Sequence, residues 1–181
     1  LDTRARKVAD VVTAEPKESW VIWCDTDYED EALRAVLPEA TSVRGSDSIE
    51  SKERALLGFA DGTVRVLITK PRIAGFGMNW QHCARVAYAG PSFSYEAYYQ
   101  TVRRTWRFGQ QRPVHVHVVM GATETDVWSA MQRKAADHEA MKVEMFAAMR
   151  RAREARDDRA KGYAPALTTR LPAWIYERRT A

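Results

Sequence analysis

Short apolar runs alternate with longer amphipathic segments along most of this chain. Five runs predict strands, and the first of them, WVIWC, is continuously apolar, as expected of a strand that is covered on both faces. They span residues 20–24, 42–44, 64–69, 85–89 and 114–119. Strands that alternate with helices across short connections form a parallel sheet with helices on both faces. The pattern therefore predicts an open α/β fold.

The segments between and beyond these strands have helical periodicity. Predicted helices cover residues 4–13, about 27–37, about 49–59, 95–106 and 123–160. Thr26 and Glu29 have the spacing of a capping box, and Pro38 ends the same helix. Asp47 or Ser48 is the expected N-cap of the following helix. The last predicted helix ends in a strongly charged segment, which we expect to be solvated.

Length and charge narrow the class of protein. A chain of 181 residues is long enough for one buried α/β domain with appendages. We expect an N-terminal helix and link at 1–17, a sheet-bearing lobe at 18–141, and a helical extension with a tail at 142–181. The formal net charge of +4 permits a polyanionic partner without requiring one. No apolar run approaches the ~20 residues of a membrane span, and Cys24 and Cys83 lack metal-binding spacing, so we expect a cytoplasmic protein without a membrane partner.

The segment QTVRRTWRFGQ places cations at helical spacing. Gln100, Arg104 and Arg107 fall at i, i+4 and i+7, so they share one face of the predicted helix. Forked, permanently charged donors in fixed positions suit the charge that spreads over phosphoryl oxygens during transfer. The alternative is that these arginines form surface salt bridges. The apolar side chains fall on another face, which we expect to pack on the sheet: Tyr95, Tyr99, Val102 and Trp106.

A glycine-containing loop follows the clearest predicted strand. Gly75 and Gly77 allow the backbone to approach a phosphate or to adopt positive φ, while Thr69 and Asn79 supply short polar groups. Ligands of open α/β sheets collect beyond the carboxyl ends of the strands, where we expect both this loop and the two arginines to face. The glycine pair alone is typical of an ordinary turn.

Three segments, in this order, resemble a known family. RGSDSIESKERALLGFADG, IAGFGMNWQ and QTVRRTWRFGQ are similar to the C-terminal lobe of superfamily-two helicases, with the second resembling motif V and the third motif VI. The resemblance is strongest to Swi/Snf-type DNA translocases and their bacteriophage relatives, and it covers about residues 19–141. It implies a RecA-like fold with a long C-terminal helix and tail.

The resemblance also implies roles for individual residues. Arg107 matches the arginine finger, and Arg104 matches the neighbouring arginine that reaches the γ-phosphate side of the cleft. The implied ATP-binding residues are Gln100, Gly75, Gly77, Asn79, Arg104 and Arg107. The candidate nucleic-acid-binding residues are Thr69, Lys70, Arg72, Arg44 and Arg103. Arg103 stands where the Swi/Snf branch usually has Asp, and Trp106 stands where His is frequent.

Other parts of an ATPase are missing from the sequence. There is no GxxxxGK[ST] motif and no Asp-Glu pair at the end of an apolar strand. The resemblance places both in a first RecA-like lobe, located upstream or in a separate chain; a start at Leu1 rather than Met indicates a fragment or a processed chain. The implied cofactors are ATP and Mg²⁺, with Mg²⁺ held mainly by that first lobe. We predict no metal site in this chain, because His115 and His117 lack a third ligand.

The implied second partner is double-stranded DNA, bound without sequence specificity through its phosphates. If the protein is viral, its expected location is the host cytoplasm. The alternative function is a non-catalytic nucleic-acid-binding or protein-docking module that has kept the fold. A nuclease is disfavoured, because clustered acids or histidines for metal chemistry are absent from the sequence.

Overall fold

A computed structural model describes residues 2–74, 77–91 and 94–161 of the chain. The chain divides into two compact units, Leu1–Ala136 and Asp137–Ala181. The first unit contains the whole sheet. The LPAWI segment of the tail lies outside the described residues.

The sheet has five parallel strands in the order β2-β3-β1-β4-β5. The strands are β1 (Trp20–Trp23), β2 (Thr41–Val43), β3 (Val66–Thr69), β4 (Arg85–Tyr88) and β5 (His115–Val118). Each overlaps a run predicted from the sequence, and each central strand is buried along most of its length. The α/β fold with an open parallel sheet is confirmed.

Within the described residues, six helices and one 3-10 turn precede, connect or follow the strands. They are α1 (Asp2–Ala14), α2 (Asp27–Val36), α3 (Ile49–Ala60), α4 (Pro71–Ala74), α5 (Tyr95–Thr105), the turn Ala122–Glu124 and α6 (Thr125–Lys161). The capping box of α2 is present: Glu29 N donates to the Thr26 hydroxyl at 3.1 Å, and Thr26 N donates to the Glu29 carboxylate at 3.0 Å. Ser48 caps α3. No helix in the described ranges is both long and apolar enough to cross a membrane.

Helices cover both faces of the sheet. Successive side chains of each strand point to opposite faces, so each strand contributes to both helical layers. One layer consists of α1 and α2, and its buried side chains are Val8, Val12, Leu33 and Leu37. The opposite layer contains Phe59 of α3, the buried Trp80, and Val102 of α5. The N-terminal helix α1 therefore contributes to the same core as the sheet.

Candidate functional site

The arginine-bearing end of α5 lies beside the amino ends of the strands. The Gln110 side-chain amide, four residues after the helix cap, donates to the carbonyl oxygens of Gln81 at 2.8 Å and Cys83 at 3.3 Å, just before β4. Arg112 pairs at 2.5 Å with Glu18, just before β1. The expectation that the arginines face the carboxyl edge is therefore wrong. A helix that joins two parallel strands runs back across the sheet, so its C-terminal end reaches the amino edge.

The loop after β3 connects the two edges of the sheet. It leaves the carboxyl edge at Thr69 and returns through α4 to Trp80, whose backbone N donates to the Arg104 carbonyl at 2.9 Å. Gly77 has φ +80°, a conformation that favours glycine, and Asn79 is exposed. Gly75 lies outside the described residues. The segments that resemble motif V and motif VI are thus in direct contact, although only the start of the loop lies at the predicted edge.

Arg104 is hydrogen-bonded across the contact between these two motifs. Its Nη1 donates to the Met78 carbonyl at 3.3 Å, and its Nε and Nη2 donate to the backbone and side-chain oxygens of Gln100 at 3.1 and 3.3 Å. Burial, together with the charges of Arg107 and Arg103, lowers the pKa of Arg104. Arg104 and Gln100 therefore hold the glycine loop against α5.

Arg107 is exposed on a turn whose backbone is fixed from several sides. Gly109 has φ +94°, and a Cβ there would lie 3.2 Å from the Gln81 amide nitrogen. The same amide donates to the Phe108 carbonyl. The Gln110 amide also donates to the Thr105 carbonyl at 3.2 Å. The Arg107 side chain makes no hydrogen bond or ion pair with any residue that the structure describes, so its guanidinium is available to a ligand.

The inward face of α5 differs from the predicted one. Tyr98 and Val102 pack on the core and Thr101 is buried, with its hydroxyl 2.6 Å from the Tyr88 hydroxyl. Trp106 is instead 55% exposed. The guanidinium carbon of Arg103 lies 5.4 Å from its ring centroid, a cation–π distance. Trp106 fails as an anchor because α5 ends at Thr105, so helical spacing no longer applies to it.

Three arginines thus lie together at this end of α5 without a carboxylate. Arg103, Arg104 and Arg107 form no ion pair among residues 2–74, 77–91 and 94–161, and the charges of the other two disfavour protonated Arg104. We call these residues the arginine cluster. Their uncompensated charge can stabilise an anion, and forked donors suit phosphoryl oxygens.

The remaining nucleic-acid candidates lie at the opposite, carboxyl edge, and two of them are ion-paired. Arg44 Nη2 lies 2.5 Å from a carboxylate oxygen of Asp30, which is buried. The Lys70 ammonium lies 2.7 Å from Asp27 and lowers the pKa of that carboxyl. Arg72 is exposed and forms no ion pair in the described parts of the chain. Thr69 is buried, and its hydroxyl has no hydrogen-bond partner among the described residues.

A cavity of about 290 Å³ opens at the same carboxyl edge. Its polar lining includes Asp25, Glu29 and Arg4, and Arg4 is paired at 3.3 Å with Glu124. Burial and the neighbouring Glu29 raise the pKa of Asp25. Neither Arg4 nor Asp25 was predicted from the sequence, although the position of Asp25, two residues after the end of β1, was a usable signal. No group of three metal-ligating side chains occurs within the described ranges.

Comparisons with known proteins agree with this fold. Residues 4–109, more than half of the chain, match the family model of the helicase conserved C-terminal domain. The structure is similar to the C-terminal part of the Fun30 ATPase domain, with a TM-score of 0.58, 19% identity, and coverage of 68% of this chain and 42% of that one.

Two structures of Dbp5 are similar as well. The C-terminal domain of the DEAD-box protein Dbp5 gives a TM-score of 0.64 and 19% identity, covering 74% of this chain and 79% of that one. S. cerevisiae Dbp5 bound to RNA and ADP BeF3 gives a TM-score of 0.63 and 17% identity, covering 72% of this chain and 35% of that one. The chain thus spans less than half of the Fun30 structure and about a third of the RNA-bound one. The search of curated proteins returns no match.

Proposed function

We propose, from the premise that this chain belongs to the helicase conserved C-terminal domain family, that it works as the second RecA-like lobe of an ATP-driven translocase. In this proposal it supplies Arg107 and Arg104 to an ATP site whose other half is a first RecA-like lobe. Its relatives by resemblance are Swi/Snf-type DNA translocases and their bacteriophage counterparts.

The observation that carries the proposal is the uncompensated charge of the arginine cluster. A buried or half-buried cation normally has an acidic partner, since burial without one is costly. Arg104 is half-buried, repelled by Arg107 and Arg103, and bonded only to neutral oxygens among the described residues. These observations support an anion supplied from outside the chain, and the terminal phosphate of ATP has the required chemistry.

The roles of the two arginines differ. Arg107 is exposed on a fixed turn, as expected of a finger that enters a site formed by another lobe. Arg104 is held by Met78 and Gln100, as expected of a residue that links phosphate binding to the glycine loop. Gly77 and Asn79 lie in that loop and are proposed to complete the nucleotide contacts, together with Gly75. ATP supplies the phosphoryl group, and Mg²⁺, held mainly by the first lobe, neutralises its charge.

Nucleic acid is proposed to bind at the opposite, carboxyl edge, to which the loop leads. Arg72 is exposed there without an ion-pair partner in the described chain, whereas Thr69 is buried and is therefore the weaker candidate. Lys70 and Arg44 share their charge with acids of this chain, so we expect them to contribute less. Arg103 lies in the arginine cluster instead, with its guanidinium over the Trp106 ring. We propose that it contacts nucleic acid from there. The substrate we propose is double-stranded DNA, recognised through its phosphates.

The test uses a two-lobe protein in which this chain is joined to a P-loop lobe. The double variant Arg104→Ala/Arg107→Ala should lose about 10³-fold or more of kcat for ATP hydrolysis. Arg34→Ala, an exposed arginine on α2, is the matched control and should hydrolyse ATP normally. If the double variant keeps its activity, the catalytic proposal fails and the chain is a non-catalytic nucleic-acid-binding or docking module.

A further inference from the structure

An aromatic side chain is fully exposed beside the proposed finger. Phe108 follows Arg107 directly, and 97% of its surface is accessible. Trp106, on the other side of Arg107, is 55% exposed. A single exposed apolar residue is common and carries no argument by itself. Two aromatic rings that flank the proposed finger on one turn call for a physical account.

The turn that carries Phe108 is rigidly held. Its carbonyl accepts from the Gln81 amide, and Gln110 N donates to the Arg107 carbonyl at 3.0 Å. Gly109 next to it has φ +94°, which sets the direction of the chain. Phe108 is therefore kept in place by backbone contacts while its ring contacts little, so the ring is pre-organised for a partner.

We propose that Phe108, assisted by Trp106, anchors the closed state by inserting into an apolar socket on the first lobe beside the bound nucleotide. This inference rests on the proposed function. Adjacent Cα atoms lie about 3.8 Å apart, and an arginine side chain is only a few ångström longer than a phenylalanine. If Arg107 reaches a phosphate held by the first lobe, the surface of that lobe comes within reach of the Phe108 ring.

Charge favours the first lobe over a second copy of this chain. Two copies that met symmetrically through Phe108 would bring their two sets of Arg103, Arg104 and Arg107 together, and none of these has an acidic partner among the described residues. A lobe that holds ATP presents negative charge at this place. The Arg103–Trp106 contact extends the same surface, because it keeps a cation and an aromatic ring together next to the finger.

The experiment compares Phe108→Ala with wild type in the two-lobe protein. Trp106 reports docking, because a tryptophan that moves from water into an interface shifts its emission to shorter wavelength; the same protein with Trp106→Phe provides the baseline. We expect Phe108→Ala to need about 10- to 100-fold more ADP BeF3 for half-maximal shift, since a buried phenylalanine contributes that much to an equilibrium. Ile49→Ala, which removes a 77% exposed side chain on α3, should leave the midpoint unchanged.

Loss of folding is excluded as a cause by the thermal midpoint of the chain alone, which Phe108→Ala should not lower. A wild-type closure midpoint for Phe108→Ala, with hydrolysis abolished by Arg107→Ala, overturns the inference and leaves the proposed function standing. Full hydrolysis by Arg107→Ala overturns both. Self-association of the chain alone that Phe108→Ala abolishes also overturns the inference, because a second copy would then be the partner.

Discussion

The arginine cluster at the amino edge of the sheet and the basic residues at its carboxyl edge differ in their partners. At the carboxyl edge, Arg44 is paired with Asp30, and Lys70 is paired with Asp27. At the amino edge, the arginine cluster has no carboxylate among the described residues. Paired cations contribute to interactions within this chain, whereas the arginines of the cluster, which repel one another, are available to an anion from elsewhere. The comparison shows why the count of basic residues says less than the location of their counter-ions.

The largest expected effect is that of Arg107→Lys. Lysine keeps the charge but loses the planar fork that contacts two phosphoryl oxygens. We expect kcat for ATP hydrolysis by the two-lobe protein to fall by roughly 10²–10³-fold, close to the loss for Arg107→Ala. Steady-state hydrolysis at saturating ATP measures it, and Lys70→Arg at the other edge is the control. Near-normal turnover by Arg107→Lys would show that a point charge suffices.

The next largest expected effect is on the free energy of unfolding, through the ion pairs at the carboxyl edge. Asp30→Ala should lower the free energy of unfolding by about 2 kcal/mol, because it leaves the partly buried Arg44 without its counter-ion and the Ser42 hydroxyl without its acceptor. Asp27→Ala removes an exposed partner and should change little. Urea denaturation of the chain compares them. Equal losses would mean that burial does not distinguish the two pairs.

A third variant separates the geometry of the finger from its charge. Gly109→Ala places a Cβ at φ +94° and close to Gln81, which should cost about 1–2 kcal/mol. Hydrolysis should fall while the charge of the arginine cluster is unchanged. Gly45→Ala, where a Cβ meets nothing within 4 Å, is the control for both measurements. If Gly109→Ala hydrolyses ATP normally, the turn need not be fixed.

The salt dependence of nucleic-acid affinity should differ between variants of the basic residues at the carboxyl edge. Arg72→Ala should reduce the slope of log affinity against log salt by about 0.9, the loss of one phosphate contact. Lys70→Ala should reduce it less, since Lys70 already shares its charge with Asp27. Titration of a labelled DNA duplex at several salt concentrations provides the slopes, with an RNA of equal length as competitor. A larger effect for Lys70 would reverse the assignment.

The smallest expected effect is a loss of folding stability at acidic pH. Burial lowers the pKa of His82 and of His117 below the ordinary value of 6.5. The unfolded chain therefore takes up protons first, so stability is complete above about pH 6.5 and falls as the pH drops below it. Denaturation between pH 7.5 and 5 should show this slope, and His82→Gln/His117→Gln should flatten it. An unchanged slope would assign the acid sensitivity to other groups.

Local sequence signals predicted the elements of the fold well. Short, largely apolar runs located the strands, and the Thr26–Glu29 spacing located the start of α2. Features that depend on chain direction across the sheet were missed: the arginines were expected at the carboxyl edge, although α5 must run back to the amino edge. Helical spacing assigned Trp106 to the apolar face of α5, but α5 ends at Thr105, one residue before it.

Pairings distant in sequence were also out of reach. Asp30 and Arg44 lie 14 positions apart on different elements, and only the packing of α2 beside β2 brings them together. The side-chain amides of Gln81 and Gln110 donate to backbone carbonyls and so fix the turn that carries Arg107. Side-chain patterns in the sequence give no signal for such bonds. The identity of the candidate cations was predictable, whereas the presence or absence of their partners was not.

The most direct measurement is a structure of the two-lobe protein with ADP BeF3 bound. The account predicts that the Arg107 guanidinium donates hydrogen bonds to the beryllium fluoride group, which stands in for the terminal phosphate, while Arg104 keeps its contact with Met78. An Arg107 side chain that instead pairs with a carboxylate of its own chain, away from the nucleotide, would contradict it.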